Sequence, residues 1–324
     1  MPLLIRRTLA GQTPGSSRVL AVKPARVGHG SADPSLRPSD AAHEPAAQHR
    51  SRLLSTCANP HCASGWLHLW RSRSGPIFEN GWTCSPDCTR ALAALAVRRE
   101  LDGRVAGEET HRHRIPVGLV MLEQGWITSQ QLRHALDAQR RAGAGRLGQW
   151  LVRREGVSEQ LVTRALGLQW SCPVLPLEFH DPEALTPLVP RLFLDAFGAL
   201  PLRVAAGKLL YLGFVDRLDP VLALAIERMT GLRVESGLVR ESEFRLAHER
   251  MLRAPFPPVE LIEASSEPAA AHTLARSIER FRPAASSLVR VHNFLWLRLA
   301  RRAHPAPLAP RDAHHDLICT VGAQ

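Results

Sequence analysis

Four of the six cysteines fall in two close pairs, Cys57 and Cys62 in "CANPHC" and Cys84 and Cys88 in "CSPDC", with 21 residues between the pairs. Thiols clustered in this way, in a chain with no secretory signal core, point to metal ligation before disulfides. Zinc takes four soft ligands in a tetrahedron, and two cysteine pairs joined by a hairpin supply them. Cys84 at the cap of a helix and Cys88 in its first turn would aim both thiolates at one point, where the helix N-terminus also favours negative charge. The spacing predicts a structural Zn2+ on Cys57, Cys62, Cys84 and Cys88, with His61 as an alternative to Cys62. Such an ion contributes on the order of 10–16 kcal/mol to folding in finger peptides, ample for a segment this short. A catalytic metal would need an open position and a base, and Asp87 lies too near the ligands to serve. Cys172 and Cys319 stand alone and read as buried core residues.

The elements that must position these thiols follow. Ser85 is a natural N-cap, Pro86 suits the first helical turn, and Gly103 closes a helix through "PDCTRALAALAVRRELD". The arrangement resembles a treble-clef or zinc-ribbon finger. Residues 1–52, rich in Ala, Arg, Pro, Ser, Gly and His without periodicity, read as a disordered leader.

From Pro116 the chain repeats itself at an offset of 30 residues: Gly118 recurs as Gly148, Leu132 as Val162, Leu136 as Leu166 and Gln139 as Gln169. Each copy reads as two short helices joined by a turn, with Thr128 and Ser158 as N-caps. Beyond "CPVLPLE", one Pro-marked helix is expected through "LTPLVPRLFLDAFG". Strands follow on either side of Gly207, then a helix capped by Asp219, a strand at "LRVESGLV" and a helix at "SEFRLAHERML". After the prolines of "RAPFPPVE" come a helix, "PAAAHTLARSIERF", and one strand, "SLVRVHNFLWLRL", with Val289, Val291, Leu295 and Leu297 on one face. "DLICTVG" is a last apolar run.

The fold class is therefore α+β, in five parts: the leader at 1–52, a zinc module at 53–103, tandem helices at 104–175, an α/β unit at 176–254 and a helix/strand tail at 255–324. A net charge of +11 invites polyanion partners, but 39 of the 41 basic residues are arginines, spread along an Ala- and Pro-rich chain with no concentrated basic face. That argues against nucleic acid without excluding it. No segment has the length and apolarity to insert in a membrane, so a cytoplasmic location is expected. The histidines of "HRH" at 111–113 and of "HH" at 314–315 lack metalloprotease spacing and read as solvated. No nucleophile elbow or phosphate-binding loop ending in Gly-Lys-Ser/Thr is present; Gly207-Lys208 sits in a hairpin turn.

The stretch from Pro116 to about Leu252 resembles the N-terminal domain family of type II secretion and type IV pilus assembly ATPases, the GspE/MshE N-terminal type. That family's tandem motif runs R-L-G, spaced aliphatics, Gly, then Leu, Leu and Gln, and binds cyclic di-GMP. The second copy matches at Arg146, Leu147, Gly148, Leu151, Val152, Val162, Leu166 and Gln169, with Glu155 where a glycine belongs and Gly156 one place late. The first keeps Gly118, Gly125, Leu132, Leu136 and Gln139 but has Pro116 in place of the arginine and Val117 in place of the leucine. Losing one charge-assisted contact to a phosphate would cost roughly 1.5–3 kcal/mol, unless Arg114 bends back to replace it. The resemblance implies a non-catalytic adaptor or regulator of secretion or pilus machinery. Its ligand site for cyclic di-GMP would draw on Arg114, Gly118, Gly125, Gln139, Arg146, Leu147, Gly148 and Gln169. The alternative is a zinc-containing nucleic-acid-binding regulator, or a tandem repeat kept purely as scaffold.

Overall fold

The computed structural model describes residues 56–63, 75–79, 81–103, 114–177, 180–217, 219–303, 310 and 312–322. The leader at 1–52 and the histidines of 111–113 lie outside these residues. Helices and sheets both contribute, and the fold is α+β.

A short hairpin, β1 (Ile77–Phe78) and β2 (Gly81–Trp82), leads into the long helix α1 (Pro86–Asp102). Ser85 caps α1 by accepting from the Cys88 amide at 3.3 Å, and Pro86 fills the first turn, where no intrahelical N–H is needed. The tandem region forms α2 (Val117–Glu123), α3 (Ser129–Ala142), α4 (Leu147–Glu155) and α5 (Glu159–Trp170). Thr128 and Gln131 make a reciprocal capping box on α3, at 3.2 and 2.9 Å. Ser158 occupies the matching position on α5 but makes no side-chain cap.

The single helix expected over 185–198 is instead two short ones, α6 (Pro182–Leu185) and α7 (Arg191–Phe197). Pro187 and Pro190 are the reason: a proline lacks the N–H that a continuous helix needs and pushes the residue before it out of helical geometry. The strands β3 (Leu200–Ala205) and β4 (Leu209–Phe214) pair antiparallel around a turn with positive φ at Ala206 and Gly207. The helix α8 (Pro220–Thr230), capped by Asp219, carries the chain over to β5 (Arg233–Leu238), which is parallel to β4, and α9 (Glu241–Arg253) follows.

The C-terminal segment builds a four-stranded sheet in the order β6-β9-β8-β7, from β6 (Val259–Ala264), α10 (Glu267–Phe281), β7 (Ala285–Val291), β8 (Phe294–Ala300) and β9 (His314–Val321). Two features depart from expectation. The strand β6 follows Pro257 and Pro258 directly, where only a boundary was expected. The stretch read as one strand over 287–299 is a hairpin, because His292, at φ 51°, and Asn293 make a two-residue turn. The turn sends the two apolar sets to opposite faces. Val289 and Val291 join Trp296 and Ile318 against the α/β unit, whereas Leu295 and Leu297 face α1 and α10.

The four-stranded sheet is thus a middle layer. On one side it packs on Phe193, Leu222 and Ile226 of the α/β unit; on the other it is covered by Ala96 and Val97 of α1 and by Ala271, Leu274 and Ile278 of α10. His314 is buried in β9 and His315 half-buried, against the expectation of solvated residues: His315 meets Glu260 at 3.3 Å and stacks on Phe281. Cys319 is buried, but Cys172 is only half-buried. No helix among the described residues is long and apolar enough to cross a membrane.

Candidate functional site

Two places in the fold gather residues that can bind. At the first, the hairpin β1–β2 and the N-terminus of α1 bring the sulfurs of Cys57, Cys62, Cys84 and Cys88 within 4.8 Å of one another. Cys84 lies 3.5 Å from Cys62 and 3.6 Å from Cys88. A tetrahedron with metal–sulfur bonds of about 2.3 Å has edges of about 3.8 Å, so the spacing suits one ion and the cluster could hold it. Cys62 takes the fourth place; His61 is exposed, with its amide bonded to Asn59 at 3.1 Å.

Asn59, which the sequence reading passed over, is buried and donates its side-chain amide to the Cys88 sulfur at 3.4 Å. Such outer contacts orient ligands and temper their charge. Burial, then hydrogen bonds among the neighbouring thiols, push the Cys84 thiol up to about 12. Burial also raises the Cys57 thiol, against the amides of Asn59 and Cys84 that favour its thiolate. Four crowded thiols resist ionising together without a cation among them.

The second place is the tandem region, where the copies interlock. The first helix of each copy packs on the second helix of the other, α2 on α5 and α4 on α3. Positions 30 apart share the core: Met121 with Leu151, Ile127 with Val157, and Ala135 with Ala165. Gly118 and Gly148 begin the first helices, where a side chain would collide. A β-carbon at Gly118 would lie 2.7 Å from Leu132, and one at Gly148 would lie 2.5 Å from Val162. The repeated glutamines follow the same symmetry. Gln139 donates to the Gly145 carbonyl at 2.8 Å, and Gln169 donates to the Ile115 carbonyl, 30 positions earlier, at 2.7 Å. Gly125 and Gly156 both end their helices with positive φ, so the late glycine of the second copy lengthens α4 and leaves Val157 in register.

Each glutamine thus ties down the turn that enters the other copy's first helix: Gln139 holds the turn at Gly145 that leads into Arg146, Leu147 and Gly148, and Gln169 holds the turn at Ile115 that leads into Pro116 and Gly118. The two helix starts meet where Leu147 lies beside Gly118. Arg146, 45% exposed, reaches Asp216 at 2.6 Å and Glu241 at 3.0 Å. Gln149 also donates to Glu241, at 2.7 Å, and Ser242 bonds Glu159, so the tandem helices dock on the start of α9. Burial alone would lower the Arg146 pKa, but Asp216 and Glu241 outweigh it and raise it. At the other helix start the Arg114 guanidinium lies over the Trp170 ring, 3.3 Å from the centroid. Neither Asp216 nor Glu241 was singled out from sequence, because nothing local marks them as partners of a residue 70 or more positions away.

Residues 167–256 match the family model described as the MshEN domain. Over this part the chain is similar to that domain. The match opens at Gly167 in α5 and runs through the sheet β3-β4-β5 and the helices α8 and α9. The chain is also similar to a solved structure of MshE with cdg, at 26% identity and a TM-score of 0.35, over 43% of this chain and 99% of that one. A structure of the N-terminal domain of XpsE is similar at 24% identity and a TM-score of 0.30, over 41% of this chain and 92% of that one. No curated protein matches. Of the candidate ligand residues only Gln169 falls inside the MshEN match, with Asp216 and Glu241; Arg146 grips the matched region from outside it.

Proposed function

We propose that the chain is a non-catalytic binding protein in which the tandem helices and the MshEN-like region act as one docking module of the secretion- and pilus-ATPase type. In this reading it serves as an adaptor of that machinery and takes cyclic di-GMP on the face made by Gln139, Arg146, Leu147 and Gly148. The observation that carries the reading is Arg146: a half-exposed guanidinium at the start of α4, next to a turn stiffened by Gln139, paired with Asp216 and Glu241 of the adjoining MshEN-like region. A phosphodiester can offer that fork two oxygens at once, in place of one contact to each of two carboxylates. Its arrival would displace Asp216 and Glu241 and loosen the tandem helices from α9, which gives the ligand a mechanical consequence. The other helix start has Pro116, with Arg114 laid over Trp170, so one half of the dinucleotide would be gripped and the other only supported.

The test is calorimetric titration of cyclic di-GMP into the full chain. Arg146→Ala is expected to weaken binding about ten- to a hundredfold, the loss of one charge-assisted contact. Asp216→Asn combined with Glu241→Gln should tighten it, because the competitors are gone. No heat at high concentration with the native chain would mean that the repeat is scaffold.

A further inference from the structure

We infer that Cys57, Cys62, Cys84 and Cys88 bind one zinc-class cation, and that this ion is the brace fastening the N-terminal hairpin and α1 onto the C-terminal sheet, two segments nearly 200 residues apart. The site has the chemistry for it. Four thiolates around a d10 ion close a tetrahedron and leave no position for a substrate, which is the mark of a structural site.

Among the described residues, the segment carrying the thiols has little apolar core of its own. Between residues 56 and 85 the one buried apolar side chain among the described residues that joins a core cluster is Phe78, and its partners are not local. Phe78 sits with Ala96 and Val97 of α1 among Leu274, Ile278 and Leu288 of the C-terminal unit. The backbone of β1 is bonded to the same unit, Ile77 to the Pro283 carbonyl and Glu79 to the Ser286 carbonyl, both at 3.1 Å. Beside Cys88, Thr89 donates to Glu279 of α10 and shares a 2.9 Å hydrogen bond with Thr83.

The far end of α1 completes the joint. Glu100 is buried and accepts from Arg228 of α8 at 2.8 Å and from the Arg290 amide of β7 at 3.0 Å. One helix thus has a thiol cluster at its start and a three-way junction at its end. Fixing its first turn with a metal fixes the lever that reaches the MshEN-like region.

The experiment uses the full chain purified without chelators. Elemental analysis should find about one zinc per chain, and Cys84→Ser and Cys88→Ser should each lose it. Hydrogen exchange is then followed as the native chain is stripped with a chelator and resupplied with zinc, which needs no variant to fold. Protection in α1, α10 and β7 should fall on stripping and return with zinc, while α2 to α5 keep theirs. Absence of any divalent metal from the purified chain would overturn the site. Loss of protection confined to residues 56–85 would overturn the brace.

Discussion

The tandem helices and the C-terminal sheet are joined by different means. In the helices, equivalent positions of two copies meet in an apolar core, and repeated glutamines tie each copy to the other's entry turn. In the sheet, buried charges drawn from distant segments are added to the apolar faces. Arg298 of β8 grips Asp316 of β9 with two bonds, at 2.8 and 2.7 Å, and reaches the Pro187 carbonyl at 2.9 Å, linking the sheet to the loop before α7. Glu100 does the same between α1, α8 and β7. Apolar interlock is tolerant of pH; buried charge is not, and each pair depends on both partners.

The sharpest way to break this comparison is to remove one charge. Asp316 is almost wholly buried, and burial, which alone would raise its carboxyl pKa, is outweighed by Arg298, which lowers it. Asp316→Ala strands a buried guanidinium and should cost about 3–5 kcal/mol in urea unfolding. A cost below about 1 kcal/mol would mean that water reaches Arg298 and that the sheet is held by its apolar faces alone.

This contrast also explains which parts of the molecule were readable from sequence. The offset of 30 residues, the caps at Thr128 and Asp219, and the thiol spacing are all local patterns, and the structure places those caps and brings those four thiols together. What escaped were partners. Nothing near Arg146 names Asp216 or Glu241, nothing near Cys88 names Asn59, and the turn at His292–Asn293 carries no glycine to announce it. His314 read as solvated because its neighbours in sequence are polar, whereas β9 runs inside the sheet, which buries it beside Arg298 of the adjacent strand and Asp316 of its own.

His314 supplies the second test. Burial, then the charge of Arg298, hold its pKa down at about 4, against the facing Asp316 that works the other way. An unfolded chain takes up the proton once pH falls below about 6.5, while the folded one stays neutral until about pH 4. The contribution to stability is therefore complete above about pH 6.5 and is lost between there and about pH 4, by at most roughly 3 kcal/mol. Burial also lowers the His180 pKa in the α/β unit, so the assignment needs location. Hydrogen exchange at pH 7 and pH 5 should show β8 and β9 losing protection while α2 to α5 keep theirs, and His314→Gln should flatten the difference. Equal loss in the tandem helices would end the distinction between the two regions.

The smallest effect probes whether the two copies are as alike in stiffness as they are in pattern. Gly118 and Gly148 occupy equivalent first turns, but the atoms that would meet a new methyl differ. At Gly118 these are the terminal methyls of Leu132 and Leu147, at 2.7 and 3.0 Å, which can swing aside about two torsions. At Gly148 it is a methyl on the branched β-carbon of Val162, at 2.5 Å, whose χ1 in a helix is nearly fixed. Alanine in a helix recovers about 0.5–1 kcal/mol of backbone entropy at either site. Gly118→Ala should therefore be close to neutral, and Gly148→Ala should cost about 1–2 kcal/mol net of that gain, as overpacking does. Urea midpoints with unchanged slopes would measure both. If the two variants cost the same, α5 yields as readily as α3, and the stiffness that sets Arg146 on its face must come from the ties to Asp216 and Glu241 instead of from Val162.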